Sequence, residues 1–148
     1  MKDSYEFEVI CKNIIIDYAY NDVFSETNHD YIVNNGTLEI KNASLHEGVR
    51  IVNNGTLAYS TGSSAGSIEN NGTLEISNGS INSNAFVGTI DNYTGGVLNI
   101  SGGNISGKNR SAIYNDGGTV VISDGYISSS AEGKYQGNTL NRGTIQNI

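Results

Sequence analysis

An all-β parallel β-helix, one chain wound into stacked coils of three short strands, is the fold this sequence of 148 residues predicts. Three observations carry that expectation: a literal internal repeat, a composition suited only to turn-rich β structure, and an apolar alternation that falls into columns when the repeats are aligned. The repeat is "IVNNGTLEI" (residues 32–40), which returns as "IVNNGTLAY" from Ile51 and as "IENNGTLEI" from Ile68. Looser copies follow from Ile90, from Ile113 and from about Thr139, with spacings of 19, 17, 22, 23 and roughly 26 residues. Self-similarity at such periods is the mark of a solenoid or propeller, and uneven spacing fits strands held in register while the turns between them vary in length.

Composition narrows the class. The chain has 19 Gly, no Pro, no Trp and 16% charged residues, which makes it too polar for a helical bundle. It is also too rich in Ile, Val, Leu and Tyr for a disordered segment, which could not offset the entropy of ordering. The net charge of -7 is concentrated at the start: residues 1–31 carry seven acids against Lys2 and Lys12, and the remainder carries eight acids against six bases. With a pI near 4.6 and no basic run, the electrostatic footprint of a nucleic-acid binder or an anionic-membrane binder is absent. No stretch approaches the length of a membrane-spanning apolar segment, so membrane insertion is not expected. Cys11 is the single cysteine, which excludes an internal disulfide and a thiolate zinc site and suits a buried strand position.

Each coil reads as three extended pieces: "I-x-N", then "G-T-L-E-I", then "G-S-I" as at Gly79, Ser80 and Ile81. Alternation by two sends Ile32, Leu38, Ile40 and Leu45 inward and Val33, Thr37, Glu39 and Ser44 outward. Three apolar columns follow: Ile32, Ile51, Ile68, Ile90 and Ile113; Leu38, Leu57, Leu74, Leu98 and Val120; Ile40, Tyr59, Ile76, Ile100 and Ile122. In the coil from Ile51 the third-strand apolar position falls on Ser64, which predicts a thin coil.

A polar column is the most specific feature. Asn34, Asn53, Asn70, Asn92, Asn115 and Asn141 occupy one turn position in all six copies. Stacked coils set such residues about 4.8 Å apart, where each carboxamide can donate to the carbonyl of the next, so a structural asparagine ladder is expected. The glycines that follow, Gly36, Gly55, Gly72 and Gly143, are expected to supply a positive φ at the turn.

These residues resemble the repeats of bacterial cell-surface and secreted right-handed parallel β-helix proteins, of the type "AIYNNGTLTISGGTISG". The segment "AIYNDGGTVVISDGYIS" (residues 112–128) is close to that pattern along its whole length, and "CKNIIIDYAY" (residues 11–20) is similar to a degenerate copy of the family's opening coil. The resemblance spans nearly the entire chain. It implies a right-handed, single-stranded β-helix of six to seven coils, a rod of roughly 30 Å, with pectate-lyase-like architecture and an adhesin-like role. It further implies a bacterial surface or extracellular location as part of a longer exported protein, although "MKDSYEFEVI" has no signal-peptide pattern. The expected organisation is an N-terminal cap and degenerate first coil over residues 1–31, followed by β-helix repeats over residues 32–148, with a truncated or open C-terminal end. Residues 23–31 lack repeat character and are expected to form a loop or part of the cap.

No catalytic constellation is found, and neither a cofactor nor a metal is expected. His29 and His46 have no Asp column beside them. Glu39 and Glu75 lie two coils apart, roughly 9.6 Å, with Ala58 between them and nothing to raise one pKa as an inverting glycosidase requires. A Thr file (Thr37, Thr56, Thr73, Thr119, Thr144) is broken by Val97 and flanked by the mixed file Glu39, Ala58, Glu75, Asn99, Val121 and Gln146, so it reads as cross-strand stacking rather than as a flat ice-binding array. The candidate ligand site is Asp91, Tyr93, Tyr114 and Asp116: two tyrosines flanked by two carboxylates, about 5–8 Å apart on neighbouring coils, suited to stacking on a sugar ring and binding its hydroxyls. The expected function is a non-catalytic structural or adhesive module with weak affinity for host or microbial glycans. The alternatives are a polysaccharide-degrading enzyme or phage tailspike segment, and a filament subunit that associates head to tail through open coil ends.

Overall fold

A computed structural model describes residues 6–9, 14–17, 31–45, 49–83, 88–130 and 139–148 of the chain. Among the described residues, the alternation expected from the sequence is realised as seventeen strands in three stacked files. The first file, a seven-stranded parallel sheet, contains β1 (Glu6–Val9), β3 (Tyr31–Asn34), β6 (Arg50–Asn53), β9 (Ser67–Asn70), β12 (Ile90–Tyr93), β14 (Ile113–Asp116) and β16 (Thr139–Asn141). The second runs through β2 (Ile14–Asp17), β4 (Thr37–Lys41), β7 (Thr56–Tyr59) and β10 (Thr73–Ile76), then the first halves of β13 (Val97–Gly107) and β15 (Thr119–Ser129), and ends at β17 (Thr144–Asn147). The third joins β5 (Ala43–Leu45), β8 (Gly62–Ser64) and β11 (Ser80–Ser83) to the second halves of β13 and β15. Among the described residues five coils carry all three strands, with two-strand coils at either end.

Every coil pairs in parallel with the next, repeat residue on repeat residue: Ile32↔Ile51, Ile51↔Ile68, Ile68↔Ile90 and Ile90↔Ile113. The predicted columns are therefore the core, and every one of their members is buried except Ile122, which is partly buried. The N-terminal segment joins the same grid, because β1 pairs with β3 and β2 pairs with β4 in the register Ile14↔Leu38 and Ile16↔Ile40. Of the expected N-terminal loop, residues 23–30 lie outside the described residues, and Tyr31 already belongs to β3.

The coil from Ile51 has Ser64 buried in the third column, as the sequence implied, but the same coil also carries Tyr59, the largest fully buried side chain among the described residues. A phenol thus stands where the other coils of that column place an Ile, and it adds volume to the cross-section in which Ser64 removes it. The Tyr59 hydroxyl is buried with no hydrogen-bond partner, a condition that costs roughly 1–3 kcal/mol, and burial drives its pKa far up. Tyr59→Phe keeps the ring and deletes the orphaned hydroxyl. We expect it to leave stability unchanged or raise it by about 1 kcal/mol, and urea unfolding of the two proteins measures the difference.

The repeat's glycines work differently from the expectation. Gly36, Gly55, Gly72 and Gly143 do not have positive φ; that conformation falls on Gly62, Gly79, Gly95, Gly103, Gly117 and Gly125, and on Asn42 (φ 52°). Gly55, Gly72 and Gly143 are required by close approach instead. A Cβ on Gly55 would lie 2.1 Å from the Gly36 carbonyl oxygen, one on Gly72 would lie 2.2 Å from the Gly55 oxygen, and one on Gly143 would lie 2.3 Å from the Gly118 oxygen. Turn backbones stack directly on one another here, leaving no room for a side chain between coils.

Candidate functional site

The asparagine column forms an unbroken ladder. Nδ2 of Asn34 donates to Oδ1 of Asn53 at 2.7 Å, Asn53 to Asn70 at 2.8 Å, Asn70 to Asn92 at 2.7 Å, Asn92 to Asn115 at 2.8 Å and Asn115 to Asn141 at 2.7 Å. The second Nδ2 hydrogen is also used, since Asn34, Asn53, Asn70, Asn92 and Asn115 donate to the main-chain carbonyls of Thr56, Thr73, Val97, Thr119 and Thr144. Asn34, Asn53, Asn70, Asn92 and Asn115 are fully buried, so these bonds satisfy groups that water cannot reach. A shorter outer row runs beside them with its donors reversed: Asn54 Nδ2 donates to Asn35 Oδ1 at 2.9 Å, and Asn71 Nδ2 to Asn54 Oδ1 at 3.1 Å.

The four residues of the predicted ligand patch lie on β12 and β14, in the register Asp91↔Tyr114 and Tyr93↔Asp116. The structure therefore brings them together on adjacent coils, but not on equal terms. Tyr93, Tyr114 and Asp116 are half-buried, whereas Asp91 is 1% exposed. The segment entering β12 explains this: the Gly88 N–H donates to Asp91 Oδ1 at 3.0 Å. A Cβ on Gly88 would sit 2.7 Å from that oxygen and 3.2 Å from Tyr114 Cβ, so the glycine backbone lies directly against both. Asp91 is then a latch for its own approach segment rather than an open acceptor for a ligand.

Burial raises the Asp91 pKa from 3.8 to about 6, opposed by the Gly88 hydrogen bond and by the charges of Arg50 and Arg110, and assisted by Glu69. Burial and the neighbouring Asp91 charge likewise raise the Tyr93 phenol. Because the Asp91 pKa is higher folded than unfolded, the folded state binds the extra proton between pH 3.8 and about 6. The ionised form accordingly destabilises the fold above that window, by about 3 kcal/mol, and the penalty fades as pH falls through it. Asp91→Asn retains an oxygen for the Gly88 N–H without the charge. We expect the variant to be more stable than the parent by about 2–3 kcal/mol at about pH 8 and equal to it below about pH 4, as read from thermal or urea unfolding across pH.

Sequence reasoning missed the arginines around this face, which repeat periodicity does not flag because they fall in unlike positions. Arg50 Nη2 pairs with Glu69 Oε2 at 2.6 Å, and Glu69 is the partner of Asp91 across the β9–β12 step. The Arg142 guanidinium lies 5.7 Å from the centroid of the Tyr114 ring, within cation–π range. Arg50, Arg110 and Arg142 are the chain's three arginines, and each acts on Asp91 or Tyr114.

The other sequence candidates stay apart. Glu39 and Glu75 are separated by Ala58, in the register Glu39↔Ala58↔Glu75, and Ser60 Oγ donates to Glu39 Oε1 at 3.3 Å. The Thr file aligns as Thr37↔Thr56↔Thr73↔Val97↔Thr119↔Thr144. His29, His46 and Cys11 lie outside the described residues. Among the described residues, no group of three or more His, Cys, Asp or Glu side chains is placed to hold a metal ion, and no helix is long and apolar enough to cross a membrane.

Coil-on-coil parallel pairing, a columnar core and a continuous amide ladder define a parallel β-solenoid repeat protein. Comparison with protein-family models, with curated proteins and with solved structures returns no match.

Proposed function

We propose that the chain is a non-catalytic β-solenoid module of an exported bacterial surface or secreted protein, a rigid adhesive spacer that holds glycans weakly through the outward face of its first sheet. The adhesin-like, pectate-lyase-like repeat pattern of residues 112–128 supports the setting. The observation that carries the binding face is the pairing of Tyr114 with Asp91 and of Tyr93 with Asp116 on adjacent coils, with Arg142 over the Tyr114 ring. Half-buried aromatic rings beside charged groups offer a saccharide both an apolar face and hydrogen-bond partners. Given the burial of Asp91, the contacting groups in this reading are Tyr93, Tyr114, Asp116 and Arg142. Single-site affinity on so open a face is low, and repeated display on a surface supplies avidity.

A glycan array probed with the parent chain and with Tyr93→Ala and Tyr114→Ala tests this. Binding that both variants lose supports the face, and binding that survives both substitutions removes it. Release of reducing sugar or unsaturated product from a bound polysaccharide would make the module an enzyme instead.

A further inference from the structure

Four Asn-Gly steps occur in the chain: Asn35-Gly36, Asn54-Gly55, Asn71-Gly72 and Asn78-Gly79. Such a step can rearrange with water as its only co-reactant. The glycine nitrogen, after losing its proton, bonds to the asparagine Cγ, and the Cγ–Nδ2 bond breaks as ammonia leaves, giving a cyclic imide. Water then opens the imide at either carbonyl, leaving aspartate or isoaspartate with no change of oxidation state. The rate depends on whether the nitrogen and the carboxamide meet in a reactive geometry, with the reacting atoms about 3–3.5 Å apart.

Three of the four steps are held away from that geometry. The Gly36 N–H donates to Asn34 Oδ1 at 3.1 Å, and the Gly55 and Gly72 N–H groups donate to the Asn34 and Asn53 carbonyls at 3.0 Å each. The Asn54 and Asn71 carboxamides are also engaged in the outer amide row. Their nucleophiles and electrophiles are thus committed to different partners.

The fourth is arranged otherwise. The Gly79 N–H donates to Oδ1 of Asn78 itself, at 2.8 Å, so the nitrogen that must attack already faces the carboxamide it would attack. Asn78 is exposed, which admits water and base. The turn also accommodates the acidic product. Asp124-Gly125 precedes Tyr126 as Asn78-Gly79 precedes Ser80, Ser80 and Tyr126 share one file through Asn104, and the Gly125 N–H donates to Asp124 Oδ1 at 2.7 Å.

We propose that Asn78 is a spontaneous modification site, deamidating to aspartate and isoaspartate while the inner and outer amide rows protect Asn35, Asn54 and Asn71. The aspartate product reproduces the turn seen at Asp124. The isoaspartate product routes the main chain through the side-chain methylene and shifts β11 against its partners β8 and β13.

The test is timed incubation of the folded chain at mildly alkaline pH, followed by proteolysis, mass spectrometry of each Asn-Gly peptide, and isoaspartyl methylation. A parallel incubation in guanidinium provides the unfolded reference. The expected result is conversion at Asn78 at least about tenfold faster than at Asn54 or Asn71 in the folded chain, a barrier difference of about 1.4 kcal/mol, and comparable rates at all four sites when unfolded. Equal folded-state rates at the four steps, or slower conversion at Asn78 than at Asn54 or Asn71, would overturn the proposal.

Discussion

Gly55→Ala is expected to cost about 3 kcal/mol or more, the upper end of what overpacking does to a well-filled interior. The added methyl would lie 2.1 Å from the Gly36 carbonyl oxygen and 3.0 Å from the Gly36 carbonyl carbon and nitrogen. All of these are backbone atoms, so no side chain can swing aside. That same oxygen accepts the Thr56 N–H at 2.9 Å, and pushing it away opens a rung of the second sheet as well as the turn. Gly95→Ala is the matched control: nothing lies within 4 Å of its Cβ position, but φ is +90°, and the strain of a side chain in that region is about 1–2 kcal/mol. Urea midpoints for the two variants separate the steric from the conformational role of glycine. A Gly55→Ala protein as stable as the parent would contradict the direct stacking of turns.

Asn70→Ala is expected to destabilise the fold by about 3–5 kcal/mol, because several buried partners are orphaned at once. Asn53 Nδ2 loses its acceptor in the next coil, and Asn92 Oδ1 loses its donor. The carbonyls of Gly72 and Val97 also lose the bonds they accept from Asn70. In a stack where each coil touches only its neighbours, weakening one interface lets the halves unfold separately, so a broadened or two-step transition is the expected signature. Asn54→Ala removes the same number of ladder links from the exposed outer row, where water replaces them, and should change stability by less than about 1 kcal/mol. Similar losses for both variants would show that burial is not what gives the inner row its strength.

Much of this architecture was legible because the repeat states it several times. Ile32, Ile51, Ile68, Ile90 and Ile113 share a position in the sequence and share a column in the fold. The sequence separations between ladder partners, 19, 17, 22, 23 and 26, are the repeat spacings themselves. The glycines show where such reading stops. Recurrence reveals that no side chain is tolerated at Gly55 or Gly72, but a left-handed backbone and a collision with the neighbouring coil leave the same mark in a sequence. In the ligand patch the limit is of another kind. Alternation places Asp91 outward beside Tyr114, which the register bears out, yet its exposure is decided by Gly88. That glycine lies in the linking segment where the spacing lengthens from 17 to 22 residues, and no periodic rule governs such an insertion. The arginines were hidden because they fall in unlike positions: Arg50 opens β6, Arg110 lies between β13 and β14, and Arg142 follows β16.

The cross-section shared by Asn34, Leu38 and Ile40, by Asn53, Leu57 and Tyr59, and by Asn70, Leu74 and Ile76 bears on how such genes change. Unequal recombination between two near-identical segments inserts or deletes one full winding, and the flanking windings then meet a face like the one they lost. Span becomes a heritable variable that steps by about 4.8 Å, adjustable while the columns and the amide row stay in register.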